Sequence, residues 1–327
     1  MRILVLGGTQ FLGRHVVHNA LARGHEVTLF NRGQTRPELF PEVEKLRGDR
    51  DGDLAALAGR DFDAVVDTSG RVPRLVSETL DALGTVGHYT FVSTISVYAD
   101  LSRPPTESSP LAELEAPTEV WEEAYGALKV LCENVVRERH PDAFIPRPGL
   151  IVGPWDPTGR FTYWPVRLAI GGPVLAPLPR DADTQVIDAR DLAEWILRAA
   201  EERAGGTYNA VGPVLTREHV LETSRIVAAS DAELVWVDPD FLDAQGIGEW
   251  MELPLWLHHA QYQGMLSVNP APAVAAGLRT RPLEETARAT LDWAQSGHTP
   301  AAFPAGLDRE KERAVLDAWQ RSVDSPA

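Results

Sequence analysis

The chain has 327 residues, 44% of them hydrophobic and 24% charged, which suits a globular protein long enough for two lobes sharing an interface. A formal net charge of -16 opposes the neutralisation of phosphates by which nucleic acids are held, so no RNA or DNA partner is expected. The lone Cys132 excludes an internal disulfide, no apolar stretch approaches the ~20 residues of a membrane helix, and no leader pattern precedes the first strand; a reducing, cytoplasmic setting is expected.

Taken in chain order, a strand at 2–6 runs into GGTQFLG (Gly7 to Gly13), and a helical pattern over 11–23 starts inside that turn. Further strands are predicted at 26–30, 43–47, 62–67, 88–93 and 143–147, with helices near 73–83 and 122–139. This alternation predicts an α/β fold of Rossmann type, a doubly wound parallel sheet whose ligand lies beyond the carboxyl ends of the strands. Residues 146–180 are rich in proline, glycine and aromatics and read as loops over a pocket. A strand and helix return over 185–203, and a short strand follows at 207–211. From 213 the pattern is mainly helical, ending in a charged helix near 308–322 (Asp308 to Arg313) expected to be a solvated face with salt bridges. The expected division is a first lobe of 1–160 with about 185–212, and a smaller, mainly helical lobe of 161–184 with 213–327.

Glycine serves a phosphate loop where the backbone turns tightly, where it nears the pyrophosphate, and where helix packs on strand. Gly7 and Gly13 fit the first and third roles and Gly8 keeps the turn bare, while Gln10 stands where the second glycine usually lies. Thr9, Gln10, Phe11 and Leu12 complete a loop whose helix N-terminus favours anions whatever occupies position 10. A nicotinamide dinucleotide is the expected cofactor. The second strand ends in Asn31-Arg32 rather than in the carboxylate that binds ribose hydroxyls, and a cation there suits a 2'-phosphate. NADP(H) is therefore favoured over NAD(H), with Arg14 and Arg36 available to add charge. Gly48-Asp49, after the third strand, is placed to receive the adenine edge.

Tyr125-Gly-Ala-Leu-Lys129 puts a phenol and an ammonium four residues apart on one helix face. A neighbouring cation favours the phenolate, making the phenol an acid/base near neutral pH. With six tyrosines and the three lysines Lys45, Lys129 and Lys311, chance supplies about 0.05 such pairs. A hydroxyl to complete the site is expected from Phe91-Val-Ser-Thr-Ile-Ser-Val-Tyr98, at the end of the fifth strand.

With GGTQFLG, the GD after strand three, VSTISVY, YGALK, RPGLIVGP, QVIDARDLA and TYNAVGP in order, the chain resembles the short-chain dehydrogenase/reductase superfamily. It resembles the extended branch, the NAD-dependent epimerase/dehydratase proteins, and within that an atypical subgroup with an altered glycine motif. The resemblance implies that Tyr125 gives and takes the proton and that Lys129 holds the nicotinamide ribose and lowers the tyrosine's pKa. Thr94, with Ser93 as the fallback, would orient the reacting oxygen of a small hydroxyl or carbonyl substrate. Net oxidoreduction and the transient redox of an epimerase or dehydratase are both open. Nucleotide-sugar relatives usually carry an asparagine at Leu150 and an arginine at Thr184 to hold a diphosphate; here Arg160, Arg167 or Arg180 would have to serve. The alternative is a catalytically silent NAD(P)-sensing or RNA-binding protein of the same fold, although such relatives often lose the Tyr/Lys pair. Relatives also pair as homodimers through the helices matching 73–83 and 122–139; Leu128, Val135 and Val136 would give the latter an apolar outer face, and a face buried against the sheet would look the same. No metal is expected: nine histidines are scattered, and His258-His259 are adjacent rather than spaced for one face. Trp155, Trp164, Trp250 and Trp256 serve either a pocket lining or helix packing.

Overall fold

The computed structural model describes residues 1–297 and 303–324. Its first half alternates β1 (Arg2–Leu6), α1 (Phe11–Ala22), β2 (Glu26–Asn31), β3 (Glu44–Arg47), β4 (Ala64–Asp67), α2 (Pro73–Ala82), β5 (Tyr89–Phe91), α3 (Tyr125–Arg139) and β6 (Phe144–Pro148). Then come β7 (Ile151–Val152), α4 (Tyr163–Ala169), β8 (Pro173–Pro177), β9 (Asp183–Gln185), β10 (Ile187–Asp188), α5 (Ala189–Glu202) and β11 (Gly206–Ala210). The remainder holds β12 (Val214–Thr216), α6 (Arg217–Ala228), β13 (Glu233–Val237), α7 (Pro239–Ala244), α8 (Ala271–Ala275), α9 (Leu283–Gln295) and α10 (Arg309–Asp324).

Seven parallel strands form the main sheet in the order β11-β6-β5-β4-β1-β2-β3. The central strand β1 shows why both faces are covered. Ile3 and Val5 enter a core with Leu12, Val16 and Val17 of α1 and Leu192 and Ile196 of α5, while Leu4 and Leu6 enter the opposite core. That second core holds Val76 and Leu80 of α2 with Cys132 and Val136 of α3. Alternate side chains of one strand thus bury on opposite faces, as a doubly wound sheet requires. The strand order reverses between β1 and β4, which opens a crevice at their carboxyl ends.

A separate core joins Trp164 and Leu168 of α4, Val220 and Leu221 of α6, Ala287 and Leu291 of α9, and Val315 of α10. This region is helical in bulk but also carries two small sheets, β13 parallel to β8 and β12 antiparallel to β9. Ala273 and Leu278 pack instead into the core beside α1 and α5. Among the described residues no helix is long and apolar enough to cross a membrane.

Three sequence expectations change. Helix α3 begins at Tyr125 rather than near 122, with Ala124 at its N-cap making no side-chain cap bond. Leu128 and Val136 do not face outward but are 1% and 0% exposed, because α3 buries that stripe against the sheet and α2. The terminal helix is not merely a solvated face: Glu312 is buried, and its carboxylate accepts from Arg167 Nε at 2.6 Å and from the Leu175 amide at 3.1 Å.

Candidate active site

Behind β1 the chain turns through Gly7 at φ 111° and Gly8 at φ 88°, backbone that side chains rarely adopt. A Cβ would stand 2.8 Å from Thr68 Oγ1 at Gly7 and 2.6 Å from the Leu29 side chain at Gly8. At Gly13 it would meet the Gly8 amide at 2.9 Å, so helix and turn press together. Gln10 is the N-cap of α1, extended at φ -133°, with its exposed side chain making no cap bond. The first amides of α1 are therefore left without a side-chain cap, and Gln10 does not fill the turn. Thr9 is buried, Phe11 half-buried, and Leu12 points into the α1/α5 core rather than toward the crevice. The residues present fit a bound pyrophosphate: a turn bare of side chains in front of a helix N-terminus.

At the end of β2, Asn31 braces this turn. Its Nδ2 donates to the Gly7 carbonyl at 2.9 Å, and its Oδ1 accepts from the Gly33 amide at 3.0 Å and from Arg47. Arg32 is well exposed and stands 4.0 Å from the Asp49 carboxylate. Asp49 exchanges backbone bonds with Asp53 and caps the Asp51 amide, building its own tight turn. The following residue, Arg50, reaches inward to Asp67 at 2.8 and 2.9 Å, a buried pair unseen in the sequence. Arg50 holds the Asp67 carboxyl below its usual range against the upward push of burial.

The other side of the crevice carries the acid/base candidates. Thr94 caps the short 3-10 turn Ile95–Val97 through a bond from the Ser96 amide at 3.1 Å. Helix α3 presses against that turn at Gly126, where a Cβ would collide with the Ser96 carbonyl oxygen. The Thr94 hydroxyl on that turn acts on the Tyr125 phenol, in the first turn of α3, and lowers its pKa. Burial is the larger effect and raises it; the charges of Arg71 and Arg160 oppose burial. Tyr125 still exposes 37% of its surface, so the phenol can be reached.

Lys129 takes a different place from the one expected. Its Nζ turns inward and donates to the carbonyls of Gly70 at 2.8 Å and Val92 at 2.7 Å, over the Phe91 ring. The reason is solvation: a buried ammonium needs acceptors, and the ends of β4 and β5 provide them. Burial pulls its pKa down to about 8. Ser93 is committed elsewhere, donating at 2.5 Å to Glu133, which also binds Arg147 at 2.6 and 2.9 Å. That leaves Thr94 as the hydroxyl facing the phenol.

Of the tryptophans, Trp164 and Trp256 are fully buried core. Trp155 is sandwiched by the His15 ring at 4.4 Å and the Arg14 guanidinium at 3.6 Å, and Trp250 lies under Arg160 at 5.0 Å. Folding also brings Asp240, Asp243 and His258 together with ligand atoms within 4.8 Å of one another, although His258 and the two carboxylates lie far apart in the sequence. Sequence reasoning had no signal for Arg71 or Arg50, single arginines in turns; the signal for Gly126 lay inside YGALK and was read only as spacing.

Residues 3–211 match the NAD dependent epimerase/dehydratase family. The chain is 28% identical over 214 residues to the chloroplast stem-loop binding protein of 41 kDa b of Arabidopsis thaliana, covering 60% of this chain and 54% of that protein. It is 38% identical over 69 residues to a 3 beta-hydroxysteroid dehydrogenase/Delta 5-->4-isomerase of Mycobacterium tuberculosis, covering 21% of this chain and 19% of that one. The chain thus spans about half the length of the first relative and a fifth of the second. Its fold is that of the UDP-glucose 4-epimerase of Thermus thermophilus in complex with NAD, with TM-score 0.62 and 21% identity over 91% of this chain and 100% of that one. The UDP-N-acetylglucosamine 4-epimerase of Bacillus cereus gives a TM-score of 0.64 and 19% identity over 92% and 99%.

Proposed function

The chain belongs to the NAD dependent epimerase/dehydratase family, and we infer that it is an enzyme that binds a nicotinamide dinucleotide and works on a hydroxyl or carbonyl carbon through Tyr125 and Thr94. The observation that carries this reading is a convergence at one sheet edge. What supports it is the bare Gly7–Gly13 turn after β1, the Lys129 ammonium on carbonyls just past β4 and β5, and the effect of Thr94, past the end of β5, on the Tyr125 phenol. When bound, the dinucleotide supplies hydride acceptance or donation at its nicotinamide ring. Thr94 holds the substrate oxygen, and Tyr125 exchanges the proton on it. Because burial raises its pKa, the phenol stands protonated at neutral pH, ready to donate to an oxygen that gains charge. Lys129 spends two of its three donors on carbonyls and keeps one for a ribose hydroxyl.

NADP(H) suits the end of β2 better than NAD(H). The strand ends in Asn31 and Arg32 rather than in a carboxylate; Asn31 is occupied by the Gly7 carbonyl, Arg47 lies alongside, and Arg32 is exposed with the Asp49 carboxylate 4.0 Å away. Titration of the nucleotide-free protein with NADPH and NADH, followed by tryptophan fluorescence, tests the reading. Tighter binding of NADPH, by about tenfold, is expected for a charge-assisted 2'-phosphate contact. Binding of neither would sink the enzyme reading. A second reading, nucleic-acid binding, is prompted by the stem-loop binding relative. The net charge of -16 weighs against it, and RNA affinity falling steeply with salt would revive it.

A further inference from the structure

At the end of β4 the run Asp67-Thr68-Ser69-Gly70 touches the phosphate turn, the adenine turn and the Lys129 ammonium at once. The Thr68 and Ser69 hydroxyls donate to the Leu6 carbonyl at 3.0 and 3.2 Å, directly ahead of Gly7. The Asp67 carboxylate takes both arms of Arg50 at 2.8 and 2.9 Å, and Arg50 directly follows Asp49. The Gly70 carbonyl accepts from Lys129 Nζ at 2.8 Å.

Asp67 also shapes the run that it begins. Its Oδ1 accepts from the Ser69 amide at 3.0 Å, and Arg50 adds a bond to the Ser69 hydroxyl at 3.3 Å. A Cβ on Gly70 would stand 3.0 Å from Asp67 Oδ2 and 2.5 Å from the Phe91 ring, so the Gly70 backbone lies against the carboxylate itself. The same ring lies 4.0 Å from the Lys129 ammonium. Each step from Arg50 through Asp67 and Gly70 to Lys129 is thus a contact. Around this path Tyr89 donates to Asp67 at 3.2 Å, and Arg50 Nε donates to Thr79 at 3.0 Å. Asp67 is fully buried, so without Arg50 its charge would have to find another donor, and the run it shapes would move with it.

We propose that Arg50 and Asp67 are positioning residues for Lys129: their pair holds the 67–70 run in the shape that presents the Gly70 carbonyl, and so fixes the ammonium for the nicotinamide end of the dinucleotide. The nicotinamide role of Lys129 rests on the enzyme reading, whereas its placement by the pair does not. A cation held in place before the cofactor arrives loses less freedom on binding it. The turn beside the adenine end thereby sets the opposite end of the cofactor site. A change at Arg50 should weaken the whole dinucleotide more than its adenine half.

The chain holds three lysines, so Lys45 and Lys311 serve as internal references for Lys129. The nucleotide-free parent, Arg50→Gln and the double variant Arg50→Gln with Asp67→Asn are acylated with limiting acetic anhydride, and the rate at each lysine is read by mass spectrometry. Arg50→Gln leaves Asp67 buried without its cation; the double variant removes both charges and supplies a folded protein should the single one unfold. Leu221→Ala, in the separate core of α4, α6 and α9, controls for lost stability at large, with thermal unfolding of every protein alongside. Lys129 should label about tenfold faster when Arg50 is replaced, with Lys45 and Lys311 unchanged and Leu221→Ala like the parent. The same proteins are titrated with NADPH, NADH and ADP-ribose: dinucleotide affinity should fall about tenfold and ADP-ribose affinity by less than about threefold.

Lys129 labelling that ignores Arg50, or that rises equally in Leu221→Ala, overturns the proposal. So does faster labelling with dinucleotide affinity unchanged in a parent that binds one, or a loss that ADP-ribose shares in full. A parent that binds neither dinucleotide, with Lys129 still responding to Arg50, leaves the placement standing and ends the enzyme reading. Dinucleotide binding with an unresponsive Lys129 does the reverse.

Discussion

At position 10 a glutamine stands where a dinucleotide turn usually keeps glycine, with extended backbone at the N-cap and an exposed side chain that makes no cap bond. The sequence showed the substitution but not the direction of the side chain. Lys129 illustrates the same limit. Spacing of four residues fixes the side of the helix a residue starts from, not where a four-carbon stem carries its ammonium, and two buried carbonyls decided that. His15 carried no signal in the sequence, yet it anchors the phosphate turn's helix by bonding the Pro154 carbonyl at 3.0 Å and stacking on Trp155. Burial lowers its pKa from 6.5 to about 4. Between those values the unfolded chain binds the extra proton, so stability falls as pH drops from 6.5 to 4, by up to about 3 kcal/mol. Urea midpoints of the parent and of His15→Gln, compared at pH 7, 5.5 and 4.5, should converge toward the acid end. Parallel lines would mean that His15 titrates freely in the folded protein.

The helices and strands of the sheet were legible as elements because their periodicities are local properties. α1 and α2 fall within a residue or two of their expected spans, α5 lies within the strand and helix expected over 185–203, and β1 matches at both ends. The two-residue strand β7 was not legible, since it exists only by pairing with β10, which falls inside the strand expected at the start of 185–203. The start of α3 depended on tertiary contact as well: Gly126 lets its first turn sit on the 95–97 turn, which Thr94 caps. Gly126→Ala should therefore cost about 1–3 kcal/mol by overpacking and weaken NADPH binding through Lys129 on the same helix. Chemical denaturation and the fluorescence titration read the two effects. An alanine variant equal to the parent in both would show that the first turn of α3 does not rest on Ser96.

Across the molecule, α10 is held by a buried ion pair rather than left in solvent. Glu312 and Arg167 expose 2% and 3% of their side chains and meet at 2.6 Å, with β8 donating an amide to the same carboxylate. Glu312→Ala should cost about 3–5 kcal/mol, because it leaves the Arg167 charge buried alone; Arg167→Ala should cost less, since Arg309 stays on Glu312 at 3.4 Å, and the double variant should cost less than their sum. Additive losses in a double-mutant cycle of unfolding free energies would show that the two charges do not depend on each other. Pattern and spacing are local, so the α/β class, the glycine turn and the candidacy of Tyr125 could be read before any fold was known, while Thr94 was singled out among the hydroxyls of 91–98 only by the family resemblance. Folding alone settled the strand order that opens the crevice and the inward turn of Lys129. It also settled the burial of Glu312. Those depend on which distant segments a buried charge or a close-packed backbone finds opposite it, and no local pattern carries that.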